Sequence, residues 1–499
     1  MTTLPAALPA AASPDSSGIP GLDTVLVGGF TPHRLYLVEG VPGSGKTTLA
    51  LQFLLEGLAN DETVLYVTLS ETEQELREVA ASHGWSLDGI HIHELNTPEE
   101  TLDPDAQYTM FHPSEVELGD TTKRILEQVE GLRPQRVVFD SLAELRLLAG
   151  SALRYRRQVL ALKQYFVGRG CTVLLLDDSA VSEHGLHVHT IVHGVLSLDQ
   201  LNPEYGGDRR RLRITKFRGR RFREGYHDYE IISGGLRVFP RLVAADYRRP
   251  GVQERITSGL APLDALLGGG LDRGTSTLLV GAAGTGKSSL ATHFMMAAAE
   301  RGERSAMFTF DESVRSMVTR SRGLGFDIDR HMDDGLIRVQ AIDPAELSPG
   351  EFSHRIRQAA EVDGARVIVI DSLNGYLNAM LEDRFMIVQL HELLAFLGQI
   401  GVVTLLVSAQ QGLIGQMSNS IDVSYLADGV ILLRYFESRG EVRQAISVLK
   451  KRTGFHERTI RELTIGSHGL AIGEPLRDLR GVLTGVPQER GDPAPALRS

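Results

Sequence analysis

The eight-residue pattern G-x-x-x-x-G-K-[ST] occurs twice in this chain, at 40–47 and at 281–288. In such a pattern, backbone N–H groups wrap the phosphates of a nucleotide, the lysine reaches the β- and γ-phosphate oxygens, and the last hydroxyl binds Mg²⁺. Each copy follows an apolar, strand-like run and opens a helical one. A helix that starts there points its positive N-terminal end at the anion. Each copy therefore predicts a nucleotide-binding loop.

The residues predicted to contact nucleotide are the loop glycines, the lysines and the hydroxyl residues beside them. They are Gly40, Gly43, Ser44, Gly45, Lys46, Thr47 and Thr48 in the first copy, and Gly281, Gly284, Thr285, Gly286, Lys287, Ser288 and Ser289 in the second. Thr47 and Ser288 are the predicted Mg²⁺ ligands of the two loops.

The remaining composition is that of a globular protein with more than one domain. A chain of 499 residues exceeds what one core supports. Its apolar runs are shorter than the roughly 18 residues of a membrane span, and its single cysteine, Cys171, excludes an intrachain disulfide framework. The net charge of −11 argues against nucleic acid as the main partner. We expect a cytoplasmic protein without a membrane partner.

Landmarks around the two loops recur in the same order, which indicates a tandem duplication. The stretch 17–23 aligns with 258–264, and Lys46 aligns with Lys287 at the same spacing of 241 positions. We predict an N-terminal domain at 16–245 and a C-terminal domain at 255–485. Disordered tails are predicted at 1–15 and 486–499, and the join at 241–254.

Both halves alternate short apolar runs with helical stretches. In the first half the predicted strands are 64–69, 137–139 and 172–176, and the helical stretches include 74–82 and 154–166. β-Branched runs between helices predict an α/β fold with a mostly parallel sheet covered on both faces. Ligands of such sheets bind beyond the carboxyl ends of the strands.

Acidic residues follow the predicted strands and complete each candidate site. Asp140 and Asp371 end buried strands, where a carboxylate can lie beside Mg²⁺; the alternative is a helix cap. Glu71 and Glu312 follow other strands, where a base for the attacking water belongs; the alternative is a first-turn helix residue. Because Ser70 precedes Glu71 whereas Asp311 precedes Glu312, we expect unequal chemistry at the two sites.

A Lys-x-Arg pair recurs near the end of each half, at Lys216/Arg218 and Lys450/Arg452. Alternation along a strand puts both members of a pair on one face. The pair fits an arginine-finger role in hydrolysis, although a solvated strand face is the alternative.

These motifs resemble the KaiC family of two-domain RecA-like ATPases over about 15–485. The resemblance rests on S-G-x-x-x-L-D before each loop, T-x-[SD]-E-[TS] after the second strand, D-S-L at the acidic strand and the K-x-R pairs. It implies two tandem RecA-like P-loop NTPase domains that use ATP and Mg²⁺, a ring homo-hexamer formed with ATP, and slow hydrolysis in the N-terminal ring.

The resemblance also implies autophosphorylation in the C-terminal ring. Ser424 matches the family's phosphorylatable serine, whereas Tyr425 stands where threonine is expected. Asp311 stands in place of the kinase's base glutamate. The stretch 476–483 resembles a C-terminal segment that protein partners engage.

Three other interpretations stay open at this point. Nine basic residues in 209–223 are typical of a nucleic-acid patch, and a DNA-dependent RecA-like motor is an alternative function. Four histidines in 184–193 are typical of a metal site, although no carboxylate or cysteine pattern completes one. A nucleotide-gated scaffold with little turnover is the third possibility.

Overall fold

The computed structural model describes residues 13–95, 127, 129–178, 185–203, 206–247, 254–379, 386–410, 424–484 and 487–489. The chain divides into two compact units, Met1–Arg241 and Leu242–Ser499. Leu242 and Ala244 pack in a core of the second unit. Most of the two predicted tails, at 1–12 and 490–499, lies outside the described residues, whereas Asp15 pairs with Phe30 in an isolated β-bridge.

The first unit is built on one mixed sheet. Its strands are β1 (Leu35–Gly40), β2 (Val64–Thr68), β3 (His91–Glu94), β4 (Arg136–Asp140), β5 (Thr172–Asp178), β6 (Gly194–Leu201), β7 (Arg209–Phe217), β8 (Tyr226–Ile232) and β9 (Gly235–Phe239). Their order is β3-β2-β4-β5-β1-β6-β7-β8-β9. All pairs from β3 to β6 are parallel, and β7, β8 and β9 extend the sheet with antiparallel pairs.

The second unit repeats this order as β14-β13-β15-β16-β12-β17-β18-β19-β20. These strands are β12 (Ser276–Gly281), β13 (Arg304–Thr309), β14 (Ile337–Ala341), β15 (Ala365–Asp371), β16 (Val403–Ala409), β17 (Gly429–Ser438), β18 (Glu441–Lys451), β19 (Arg461–Gly466) and β20 (Gly469–Pro475). Two small antiparallel pairs lie apart from this sheet: β10 (Arg255–Ile256) with β11 (Leu271–Asp272), and β21 (Leu479–Arg480) with β22 (Gln488–Glu489).

Helices flank both sheets. The first unit has α1 (Leu22–Val25), α2 (Lys46–Ala59), α3 (Glu73–Ser82), α4 (Leu142–Ala149), α5 (Ala152–Gly168) and α6 (Gly185–Ile191). The second has α7 (Ala261–Leu266), α8 (Lys287–Glu300), α9 (Val314–Gly323), α10 (Ile328–Asp333), α11 (Pro349–Glu361), α12 (Leu373–Ala379) and α13 (Met386–Gln399), with 3₁₀ turns at Ala244–Tyr247 and Val482–Thr484. Within the described ranges, no helix is long and apolar enough to cross a membrane.

Burial on both faces of the sheet explains why its central strands are continuously apolar. In β1, Tyr36 and Val38 belong to one core cluster, and Leu35 and Leu37 belong to the cluster on the opposite face. Successive side chains of a strand point to opposite faces, so a strand covered by helices on both sides needs apolar residues at every position. The predicted α/β fold with mostly parallel, helix-flanked sheets is confirmed.

Candidate nucleotide sites

Each phosphate loop connects the central strand of its sheet to the helix that begins at the loop lysine. In the first loop, Gly43 and Gly45 have φ values of 82° and 88°, in the left-handed region that favours glycine. A Cβ at Gly45 would lie 2.5 Å from Ile231 Cδ1. The turn that aims the N-terminus of α2 at the loop therefore requires glycine.

Lys46 has three partners in the first loop. Its Nζ donates to the carbonyl oxygens of Gly40 (2.8 Å) and Val41 (3.2 Å). It also forms an ion pair of 2.9 Å with Asp178, which is half exposed. Gly40 pairs with Asp178 in the parallel register of β1 and β5, so this carboxylate stands at the mouth of the loop.

The second loop has the same backbone geometry and a different lysine environment. Gly284 and Gly286 have φ values of 79° and 95°. Lys287 Nζ donates to the Ala282 carbonyl at 2.6 Å. Burial lowers the pKa of Lys287 to about 8, and the negative charge of Asp371 opposes this shift. The position equivalent to Asp178 is Ala409, which pairs with Gly281.

The strand-end aspartates lie deep at the carboxyl edge of each sheet. Burial raises the pKa of Asp140, while a hydrogen bond from Tyr66 and the charge of Lys46 oppose this shift. The Tyr66 hydroxyl donates to Asp140 Oδ2 at 2.6 Å. Burial likewise raises the pKa of Asp371, and a hydrogen bond with the Ser288 side chain is the main opposing contribution. In the second unit, the two predicted Mg²⁺ ligands therefore lie close to each other.

The two candidate bases have different surroundings. Glu71 is half-buried, and its Oε2 has no hydrogen-bond partner among the described residues. Burial raises the pKa of Glu71 to about 6, the charges of Asp140 and Glu75 add to the shift, and Lys46 opposes it. Glu312 instead forms an ion pair with Arg320, with Oε2 2.9 Å from the guanidinium NH2.

The Asp311 side chain reaches the turn after β15. Its Oδ2 accepts a hydrogen bond from the Ser372 hydroxyl, and that hydroxyl accepts one from the Gly375 N–H at 3.1 Å. The additional carboxylate of the second site therefore binds the segment that carries Asp371.

Both Lys-x-Arg pairs bind main-chain carbonyls just before a strand, β6 in the first unit and β17 in the second. Lys216 Nζ donates to the carbonyls of His189 and Val192, and Arg218 donates to that of Thr190. Lys216 and Arg218 thus bind the same segment, the one that leads into β6.

The second pair makes the same type of contact. Lys450 Nζ donates to the carbonyls of Ser424 (2.9 Å) and Ala427 (2.7 Å), and Arg452 donates to that of Tyr425 (2.6 Å). The Lys-x-Arg pair of the second unit is therefore bonded to the two residues of the candidate phosphosite.

Several members of the basic run 209–223 have partners within their own unit. Arg211 and Arg213 each lie 5.4 Å from the ring centroid of Tyr226, and Arg220 donates to the Val27 carbonyl. Of the four histidines, His184 and the side chain of His187 lie outside the described residues.

His189 Nε2 lies 2.8 Å from Glu39 Oε2. The part of the chain that the structure describes contains no group of three or more metal-binding side chains.

Four side chains at these sites were not among the predicted ones: Tyr66, Asp178, Arg320 and Ser372. One signal could have found Arg320 and Asp178. In the register that aligns Lys46 with Lys287, Val79 aligns with Arg320. In the register that aligns Asp140 with Asp371, Asp178 aligns with Ala409. A charge present in only one copy marks a place where the two sites differ.

The fold and the paired loops define a two-domain P-loop protein with RecA-like sheets. The family model "ATPase: KaiC" matches residues 16–243 and 256–477. The chain is 29% identical over 485 residues to the circadian clock protein KaiC3 of Synechocystis sp. (strain PCC 6803), covering 94% of both chains.

Against the circadian clock oscillator protein KaiC of Synechococcus elongatus, it is 27% identical over 479 residues, covering 94% of this chain and 91% of the relative. A similar relative is the KaiC of Acaryochloris marina, at 27% identity. The chain therefore belongs to the KaiC family of ATPases, and the predicted resemblance is confirmed.

Proposed function

We propose that this chain hydrolyses Mg²⁺-ATP in both units and acts as a signalling ATPase. The observation that carries the proposal is the meeting of three polar groups at one sheet edge in each unit. Three side chains lie around each phosphate loop. They are a hydroxyl in the first helical turn, an aspartate at the end of a parallel strand and a glutamate after the neighbouring strand. Family membership supports hydrolysis as the reaction.

Each of these groups has a distinct role in the proposed reaction. Lys46 and Lys287, with the loop N–H groups, bind the phosphates. Thr47 with Asp140, and Ser288 with Asp371, would hold Mg²⁺, which neutralises charge on the phosphates when bound. The closeness of Ser288 to Asp371 supports this pairing. Glu71 and Glu312 orient the attacking water and accept its proton.

We further propose that the chain assembles with ATP into a ring homo-hexamer. In that assembly, Lys216/Arg218 and Lys450/Arg452 would act at the nucleotide of a neighbouring subunit, where a cation stabilises charge in the transition state. Mass measurement with and without ATP tests this assembly. A chain that stays monomeric with ATP would contradict it.

The second unit is proposed to phosphorylate itself on Ser424, with Tyr425 as the weaker candidate. The supporting observation is the bonding of Lys450 and Arg452 to the carbonyls of these two residues, which links the phosphosite to the proposed catalytic pair. Asp311 is the proposed kinase carboxylate, and its acceptance of the Ser372 hydroxyl keeps it beside Asp371.

We also propose that the protein works in the cytoplasm and that protein partners engage 476–483. In this segment, Leu476 and Leu479 pack beside Val482 on a small apolar cluster of the second unit.

Incubation with γ-labelled ATP separates the candidate functions. Released phosphate supports the ATPase, and label on Ser424 that Ser424→Ala removes supports the kinase. Absence of both products would favour the nucleotide-gated scaffold. Strong stimulation of hydrolysis by single-stranded DNA would favour the motor over the signalling ATPase.

A further inference from the structure

Arg320 joins the candidate base of the second site to the helix that follows the phosphate loop. It lies on α9, eight residues after Glu312. Its Nε donates to Glu312 Oε1 at 3.3 Å and its NH2 donates to Oε2 at 2.9 Å. Its NH1 donates to the Ser289 hydroxyl at 3.3 Å. All three guanidinium nitrogens are therefore used, two on the base and one on the first turn of α8.

The first unit places an apolar residue at this position. Helices α3 and α9 each have ten residues and begin with side-chain caps, from Thr72 and Ser313 respectively. Val79 occupies the position of Arg320 and packs against the core of the first unit. The counterpart of Ser289 is Thr48, whose hydroxyl lies 3.5 Å from His83 Nε2.

The two candidate bases are consequently restrained in different ways. Glu71 is held by its half-buried position, with Oε2 unbonded among the described residues. Both oxygens of Glu312 accept from one planar guanidinium. Paired hydrogen bonds of this kind fix the orientation of a carboxylate. A carboxylate held in this way is not free to turn toward an attacking water molecule.

We propose that Arg320 is a positioning residue that holds Glu312 against α8 and slows hydrolysis at the second site. The inference rests on the proposed role of Glu312 as the base. Glu312 must leave the guanidinium, or share it, in order to reach a water molecule at the phosphate. The guanidinium and carboxylate are both partly exposed, at 26% and 29%, so water competes with the ion pair and the restraint is reversible. The two sites would then differ in rate although their loops are alike.

The test uses the full chain with Lys46→Ala, so that only the second site turns over. Arg320→Val reproduces the residue of the first unit. We expect the kcat for ATP hydrolysis to rise by about threefold or more, because a freed carboxylate can turn toward the attacking water. We expect KM to change by less than about twofold, because Arg320 has no role in binding ATP in this proposal. Arg320→Lys keeps the charge without the planar fork, and should give an intermediate kcat.

The reverse change provides a second, independent measurement. Val79→Arg in a chain with Lys287→Ala should lower the kcat of the first site, with little effect on KM. Thermal unfolding of each variant shows whether it is folded. If Arg320→Val does not fold, Arg320→Lys and Val79→Arg still decide the question.

Glu312→Gln in the Lys46→Ala chain separates the inference from the proposed function. Loss of hydrolysis with Glu312→Gln, together with a raised kcat in Arg320→Val, supports both. Loss with Glu312→Gln but an unchanged or lowered kcat in Arg320→Val overturns the inference alone. Unchanged hydrolysis with Glu312→Gln overturns the role of Glu312 as base and the inference with it.

Discussion

The two nucleotide sites share a backbone and differ in the charges around it. Both loops have two glycines with positive φ, and both helices begin at the loop lysine. In the first site, Lys46 pairs with an aspartate at the loop mouth, and the proposed base, Glu71, has one carboxylate oxygen unbonded among the described residues. In the second, the lysine is buried and the base pairs with an arginine. The shared loop geometry would therefore place phosphates at the same edge of each sheet, and the surrounding side chains would set how each site reacts.

The strongest way to separate the two sites is to remove one loop lysine at a time. We expect Lys46→Ala and Lys287→Ala each to abolish turnover at one site, by about 100-fold or more, because each removes a cation that stabilises phosphate charge. Nucleotide binding and phosphate release measure the effect. Arg330→Ala, at an exposed position, is the control. If either single variant loses the hydrolysis of both sites, the two sites are not independent.

Removing Glu71, the proposed base of the first site, should have the next largest effect. Glu71→Gln keeps the shape of the side chain and cannot accept a proton, so we expect kcat to fall by about 10²–10⁴-fold in a Lys287→Ala chain. ATP binding, measured by titration, should stay within a few-fold of that chain. A variant that retains its turnover would show that another group activates the water.

The elevated pKa of Glu71 predicts the pH dependence of the first site. A general base works only when it is ionised, and burial raises the pKa of Glu71 to about 6. Hydrolysis by the Lys287→Ala chain should therefore fall as the pH drops through about 6, and level off above about pH 7. A pH–rate profile measures this change. An activity that is constant from about pH 5 to 8 would contradict the assignment.

The smallest expected effect concerns Asp178, the carboxylate at the mouth of the first loop. Asp178→Ala places an alanine here, as at the equivalent position of the second unit, Ala409. The Asp178 carboxylate competes with the phosphates of ATP for Lys46. Without it, we expect ATP to bind about two- to fivefold more tightly in a Lys287→Ala chain, an effect of the size expected for a partly exposed ion pair. Titration at low and high salt measures the change, which salt should reduce. Weaker ATP binding would show that Asp178 helps to hold the nucleotide.

The predicted elements agree closely with the structure where the pattern is local. The strand predicted at 64–69 is Val64–Thr68, and the helical stretch 154–166 lies within Ala152–Gly168. An apolar run that is buried on both faces is visible in sequence because every position must be apolar. The antiparallel extension by β7, β8 and β9 was not predicted, since strand order depends on pairing between distant segments.

For the same reason, the sequence pattern does not predict which side chains contact the site residues. Tyr66 and Asp140 are 74 positions apart, and Arg320 reaches Ser289 across 31 positions. Nothing in the local pattern specifies such a contact.

The sequence by itself determined the two phosphate loops, the duplication and the family, because each depends on residues at short, fixed spacing. Glycine at positive φ and lysine at the helix start are local requirements of phosphate binding. Only the tertiary structure decided which charges face each site, because parallel strand pairing brings Asp178 to Lys46 and helix packing brings Arg320 to Glu312 and Ser289. The shared loops are thus a property of the sequence motif, and the difference between the two sites is a property of the fold.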